Sequence, residues 1–324
     1  MKDVEVVVKS EKPVTHASAS MPASGATSAP EASPASKATV RTWHDVAGVR
    51  TECLEAGAGR PVLFLQPLEG VREDLPWFGK LANQGRVIAP SVPGFGRTAR
   101  PATYTRVDDL AYFCLDLADK LQLESAVLMG SGFGGWIAAE IAVRNTARFS
   151  QLVLIDSFGV KLSPPAVPDI ADIYALGEDE LDRRIWHDPA QRHRAWETMD
   201  DETLLAIAQS HHAQIRYGWQ PYMHNPGLAQ WLHRIGIPTL VVWGESDGIV
   251  KPEYGRGYAA AIPGALFEVV PNAGHYPHLE QPDAFMEIVS GFLQSGAPAR
   301  AGNKQSPPAE SDPGRRAPRG AEAL

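Results

Sequence analysis

Cysteine is nearly absent: Cys53 and Cys114 are the only two in 324 residues. Two thiols cannot build a disulfide framework, and neither stands at a metal-ligating spacing, so a reducing, cytoplasmic setting is the expectation. Long apolar runs are missing as well. No stretch approaches the ~20 residues that cross a bilayer, and the opening MKDVEVVVKSEKP lacks the apolar centre of a secretory signal. Positive charge is in deficit, with 30 Lys and Arg against 38 Asp and Glu. A chain this acidic argues against nucleic acid or an anionic membrane as partner. Hydrophobic residues make up 44% and charged residues 21%, the profile of a globular protein with ample core.

Proline, by contrast, is abundant at 27 residues, and much of it stands near the ends. Residues 1–38 and 297–324 are rich in Ser, Ala and Pro and poor in large apolar side chains. Neither segment can bury enough surface to offset its ordering entropy, so both are expected to be disordered tails. The β-like residues 4–8 could at most be a pairing segment. Residues 39–296 then carry 21 basic and 31 acidic side chains, so the acidity belongs to the part expected to fold.

Within 39–296 the pattern alternates. Apolar runs of strand length fall at 62–65, 87–89, 126–129, 152–155, 239–243 and 266–270. Stretches of helical period lie at 107–121, 135–148, 253–261 and 282–293. The strand runs are nearly continuous in apolar residues, as expected when helices cover both faces of a parallel sheet. The spacing predicts an α/β fold built on a mostly parallel, twisted sheet. Residues 39–46 and 49–54, around an Ala-Gly turn, predict an antiparallel hairpin at the sheet edge. Residues 161–235 break the rhythm, with a polar helical stretch at 203–215 and no strand-length run. They are expected to form a helical lid inserted between two strands.

The most informative stretch is Gly130-Ser131-Gly132-Phe133-Gly134, where an apolar strand passes through a glycine-dense turn directly into a helix. That is the context of the nucleophile elbow G-x-S-x-G. Here the apex is Gly132. Downstream stand Trp243-Gly244-Glu245-Ser246-Asp247 and Asn272-Ala273-Gly274-His275. On these motifs, in this order, residues 40–295 resemble the α/β-hydrolase fold family, specifically its lid-bearing esterase and C–C hydrolase members. The resemblance places Asp247 in the acid position and His275 in the general-base position. Ala89 through Arg97 resembles another of the family's loops, with Ser91 where an Asp is usual.

Two departures bear on chemistry. Gly132 supplies no side-chain nucleophile for the histidine to activate. Ser131, one residue earlier, is a weak substitute and reads better as a turn residue with a local hydrogen bond. The second departure is Gln66-Pro67, where the family shows His-Gly. The resemblance implies an oxyanion hole from the backbone N–H groups of Phe133 and Leu68.

Asp156, at the end of a strand, reads as a cap or an alternative acid. His187, His193, His211 and His212 lack the partners of a metal site, so no metal or cofactor is expected. His278 and Glu280 belong to the entry of the following helix, Trp136, Trp219, Tyr222 and Trp231 to core and lid packing, and Cys114 to the core. Three function classes stay open for a small-molecule ligand. The first is a hydrolase, acting on an ester or a related acyl or C–C bond, whose Asp247–His275 dyad activates water. The second is a nonhydrolytic lyase or proton-transfer enzyme using the same dyad. The third is a catalytically inactive binding or regulatory protein.

Overall fold

A computed structural model describes residues 39–65, 76–192 and 199–295. The expected tails, together with Gln66, Pro67, Leu68 and His193, lie outside the described residues.

Eight strands form one sheet in the order β1-β2-β4-β3-β5-β6-β7-β8. β1 (Val40–Val46) and β2 (Val49–Ala56) are the edge hairpin. Ala47 and Gly48, between them, both have positive φ (47° and 79°), the turn whose twist matches that of paired strands. β2 also runs antiparallel to β4 (Arg86–Pro90). From β4 onward the sheet is parallel, through β3 (Pro61–Leu65), β5 (Ala126–Ser131), β6 (Phe149–Ile155), β7 (Thr239–Gly244) and β8 (Leu266–Val270).

Every residue of β5 and β7 is buried, and the strand pleat divides them between two cores. Leu63, Leu128, Leu152, Leu154 and Val241 face one side, where α2 (Val107–Lys120), α3 (Phe133–Arg144) and α6 (Pro252–Ala261) pack. Val62, Phe64, Val127, Met129, Val153 and Val242 face the other, against α1 (Pro76–Ala82) and α8 (Pro282–Gln294). Cys114 is fully buried in the first of these cores.

The expected helix at 135–148 is displaced. It begins at Phe133, immediately after Gly132, and stops at Arg144. Asn145 there turns extended (φ −153°) and its side-chain oxygen accepts from Ala147 N at 2.8 Å, a local bond that competes with helix continuation.

Between β6 and β7, the described part of residues 161–235 holds α4 (Glu178–Ile185), α5 (Asp201–Gly218) and short 3₁₀ turns, and no strand beyond a single bridge joining Gly159 to His224. Asp200 caps the start of α5, its carboxylate accepting from Thr203 N at 2.8 Å. A four-residue α7 (Pro277–Glu280) precedes α8. Among the described residues no helix is long and apolar enough to cross a membrane.

Candidate active site

Gly132 is the single residue between β5 and α3, at φ 53° and ψ −116°. An L side chain is strained at that backbone conformation, and glycine is not. Its N–H donates to Ile155 O (2.9 Å), and its carbonyl accepts from Trp136 N (3.2 Å) and Phe158 N (3.0 Å). The turn is thus held from β6, from α3 and from the loop after β6. Gly130 allows the close approach: a Cβ there would collide with the backbone of Gly134 and Gly135. Among the described residues, a Cβ on Gly132 would meet Nε2 of His275 alone, at 3.4 Å, at the near edge of ordinary van der Waals contact.

Asp247 follows β7. Its Oδ1 accepts from Ile249 N (2.8 Å) and Val250 N (3.1 Å), and its Oδ2 pairs with His275 Nδ1 at 2.8 Å. Both residues are buried, 3% and 4% exposed. With Nδ1 bound to the carboxylate, the tautomer is fixed and Nε2 is left facing Gly132. The imidazole stacks on Phe158, with ring centres 5.2 Å apart and planes 14° from parallel. His278 lies nearby, fully buried. Burial and the neighbouring His275 pull its pKa down to about 3, so it adds no charge beside the pair.

The two loops are stitched to the insertion. The last turn of an α-helix leaves carbonyls without intrahelical partners. In α4 those carbonyls are taken up here: Arg184 O accepts from Gly248 N (2.9 Å) and Ile185 O from His275 N (2.6 Å). Glu280 completes the join, accepting from Gly274 N (2.5 Å) through one oxygen and from His187 N (2.9 Å) through the other.

Gly132, Phe133 and His275 open onto a cavity of about 80 Å³. Phe158, Ile249 and Tyr276 wall it, and the segment between β6 and β7 covers it with Ile173, Tyr174, Leu181, Ile185, His211 and Gln214. The lining is largely apolar; among the described residues, His211, Gln214, His275, Tyr174 and Tyr276 bring polar side-chain atoms to it. Phe133 N is the first amide of α3, so it has no intrahelical acceptor and sits where the helix dipole favours negative charge.

The structure therefore brings Gly132, Phe133, Asp247 and His275 together. Leu68 lies outside the described residues. Ser131 is fully buried, does not line the cavity, and its Oγ has no hydrogen-bond partner among the described residues. The local bond expected for it is not formed. Trp219 and Trp231 are 54% and 47% exposed, not packed as their apolar bulk suggests. His187 pairs with Ser246 (2.8 Å). Among the described residues, one cluster is tight enough to hold a metal ion: Asp156, Asp247 and His275, with atoms within 4.8 Å of one another. Two of the three are already bonded to each other. Asp156, expected as a cap or an alternative acid, and Glu280, expected as part of a helix entry, both stand beside the pair.

The sequence profile of the Alpha/beta hydrolase family matches residues 73–288, more than half of the chain. A 2-hydroxymuconate semialdehyde hydrolase of Pseudomonas sp. (strain CF600) is 29% identical over 267 residues, covering 76% of this chain and 91% of that protein. A 2-hydroxy-6-oxo-2,4-heptadienoate hydrolase of Pseudomonas putida is 26% identical, covering 76% and 93%. Among solved structures, a serine hydrolase involved in carbazole degradation (CarC enzyme) aligns with a TM-score of 0.64 at 23% identity, covering 79% of this chain and 99% of that one. A thermophilic esterase from Thermogutta terrifontis aligns with a TM-score of 0.56 at 24% identity, covering 79% and 99%. At these identities the two structures show likeness of fold.

Proposed function

Because this chain belongs to the alpha/beta hydrolase family, we propose that it is a hydrolase of a small, largely apolar carbonyl compound in which His275 acts on water rather than on a protein nucleophile. One observation carries the reading. Nδ1 of His275 is held by Asp247 at 2.8 Å, while its Nε2 lies 3.4 Å from where a Cβ of residue 132 would stand. The base faces the place of a side chain that this chain does not possess.

In this scheme a water over Gly132 gives a proton to Nε2, and its oxygen attacks the carbonyl carbon. Asp247 stabilises the imidazolium that results. The negative charge that develops on the carbonyl oxygen is met by the N–H of Phe133 at the start of α3. Collapse of the adduct breaks the bond to the leaving group, which takes the proton back from Nε2. The relatives' names point to conjugated carbonyl compounds as the first to try, with activated esters beside them.

A second reading, a binding protein, is favoured by the small cavity, about 80 Å³, and the missing side chain at Gly132. The test is turnover of both compound classes in ¹⁸O-labelled water, by the native protein and by His275→Ala. Hydrolysis at water requires one labelled oxygen in the product, no covalent intermediate on quenching, and a loss of about 10²–10⁴ in rate in the variant. Product without label would favour a lyase or proton-transfer reaction. Saturable binding with no product would favour the binding protein. Either result would refute hydrolysis.

A further inference from the structure

Asp156 ends β6 with its backbone in the left-handed region, φ 42°, where Asp and Asn are the side-chain-bearing residues most at ease. It is fully buried. Its N–H donates to Val242 O (3.0 Å) and its Oδ1 accepts from Gly244 N (2.9 Å), so it ties the ends of β6 and β7 together. Oδ2 has no hydrogen-bond partner among the described residues. A carboxylate oxygen of Asp156, one of Asp247 and a ring nitrogen of His275 all lie within 4.8 Å of one another.

We infer that Asp156 is a positioning residue of the Asp247–His275 pair: its carboxyl is anchored on Gly244, stands against the Asp247 carboxylate, and holds that carboxylate turned toward His275. The donors decide how charge divides between the two acids. Among the described residues, Asp247 receives three, from Ile249 N, Val250 N and His275 Nδ1; Asp156 receives Gly244 N alone. Two buried carboxylates this close do not both ionise. The charge rests on Asp247, and the proton rests on Asp156, at the oxygen that has no donor.

The remaining neighbours agree. Burial raises the Asp156 pKa well above the usual value, and the charge of Asp247 raises it further, with Glu280 adding in the same sense. Among the described residues, the titratable groups facing Asp156 are Asp247 after β7, His275 after β8 and Glu280 of α7, and none of these is a fixed cation. A neutral Asp156 leaves His275 opposite a single carboxylate charge, in one tautomer.

The test needs no substrate, so it stands or falls apart from the hydrolase reading. Nitrogen chemical shifts of His275 report its tautomer and its titration midpoint in the native protein, in Asp156→Asn and in Asp156→Gly. The amide of Asp156→Asn mimics the protonated acid and should leave both unchanged. Asp156→Gly suits the left-handed backbone but removes the carboxyl, and should shift the tautomer ratio and the midpoint. An infrared band of a protonated carboxyl should be present at neutral pH and lost in Asp156→Asn, a reading that does not depend on how well the glycine variant folds. If Asp156 were ionised, Asp156→Asn would lower the His275 midpoint by on the order of 2 pH units. That shift, an absent infrared band, or an unchanged His275 in Asp156→Gly would each overturn the inference.

Discussion

Gly132→Ser is the most direct perturbation of the site. Among the described residues the new Cβ would meet His275 Nε2 alone, at 3.4 Å, so the substitution meets no steric clash there. Its penalty is conformational: a non-glycine residue at φ 53° and ψ −116° costs about 1–3 kcal/mol. A domain with about 5–15 kcal/mol of stability survives that. From that Cβ a hydroxyl can approach Nε2 within the roughly 2.6–3.2 Å that activation requires. The assay is the mass of the protein after a serine-directed phosphonate, together with hydrolysis of an activated ester. Gly132→Ala carries the same backbone strain without the hydroxyl and is the control. Gly132→Ser should take up one phosphonate per chain and hydrolyse the ester, while Gly132→Ala and the double variant with His275→Ala should do neither. Loss of a second oxyanion donor would slow turnover by about 10²–10³ but would still allow labelling. A folded Gly132→Ser, as stable as Gly132→Ala, that neither labels nor reacts would refute the assignment of Nε2 as a base aimed at residue 132.

Asp156→Asn should stabilise the protein at neutral pH. The folded pKa of Asp156 is raised above the ordinary carboxyl value of 3.8, so folding takes up a proton there, and stability falls as pH climbs above that value by about 1.4 kcal/mol per unit until the folded pKa is reached. The gain in melting temperature for Asp156→Asn should therefore grow from pH 4 to pH 8; a gain independent of pH would count against a buried proton. Glu52 has the opposite sign. Burial pushes its carboxyl up, but the Ser91 hydroxyl, Arg41 and the Arg97 backbone together hold it below the usual value, so its contribution is present at neutral pH and lost on acidification. Glu52→Gln should cost about 1–2 kcal/mol at pH 7 in chemical denaturation, the Arg partners being partly exposed, with the gap closing as pH falls below 4. Gly130→Ala should lower stability more than Gly132→Ala does, because its Cβ meets the backbone of α3 rather than the end of a side chain; equal melting temperatures would contradict the close packing of β5 on α3.

The central parallel strands are legible in the sequence because both of their faces are covered: β5 and β7 are buried at every residue, so their apolar runs are unbroken. α4 is not legible, because Asp182 and Ile185 alone are buried in its eight residues and an exposed helix leaves no apolar period. Gly132, Asp247 and His275 stand out through local motifs, each bound to its own turn. The neighbours of that set do not. Asp156 reaches Asp247 only because β6 and β7 are adjacent in the sheet, and no local pattern encodes strand order. Glu280 reads as a polar residue entering a helix, while in the fold its two oxygens fasten Gly274 and His187.

Those fastenings change how the segment between β6 and β7 can work. If α4 were a loose cover, its C-terminal carbonyls would face solvent. They instead accept from Gly248, next to Asp247, and from His275 itself. Swinging α4 away would break both bonds and the Glu280 contact to His187, each worth about 0.5–1.5 kcal/mol and more where the acceptor is charged, and would release the backbone that orients the imidazole. α4 is therefore part of the frame that assembles the Asp247–His275 pair, and entry to the cavity by its displacement would dismantle the base. Two covering residues lie outside that frame: Tyr174, whose hydroxyl has no hydrogen-bond partner among the described residues, and Gln214 of α5, whose side-chain amide has Met223 Sδ at 3.9 Å as a weak partner. Side-chain movement there would enlarge the cavity without breaking the bonds that hold Asp247 and His275.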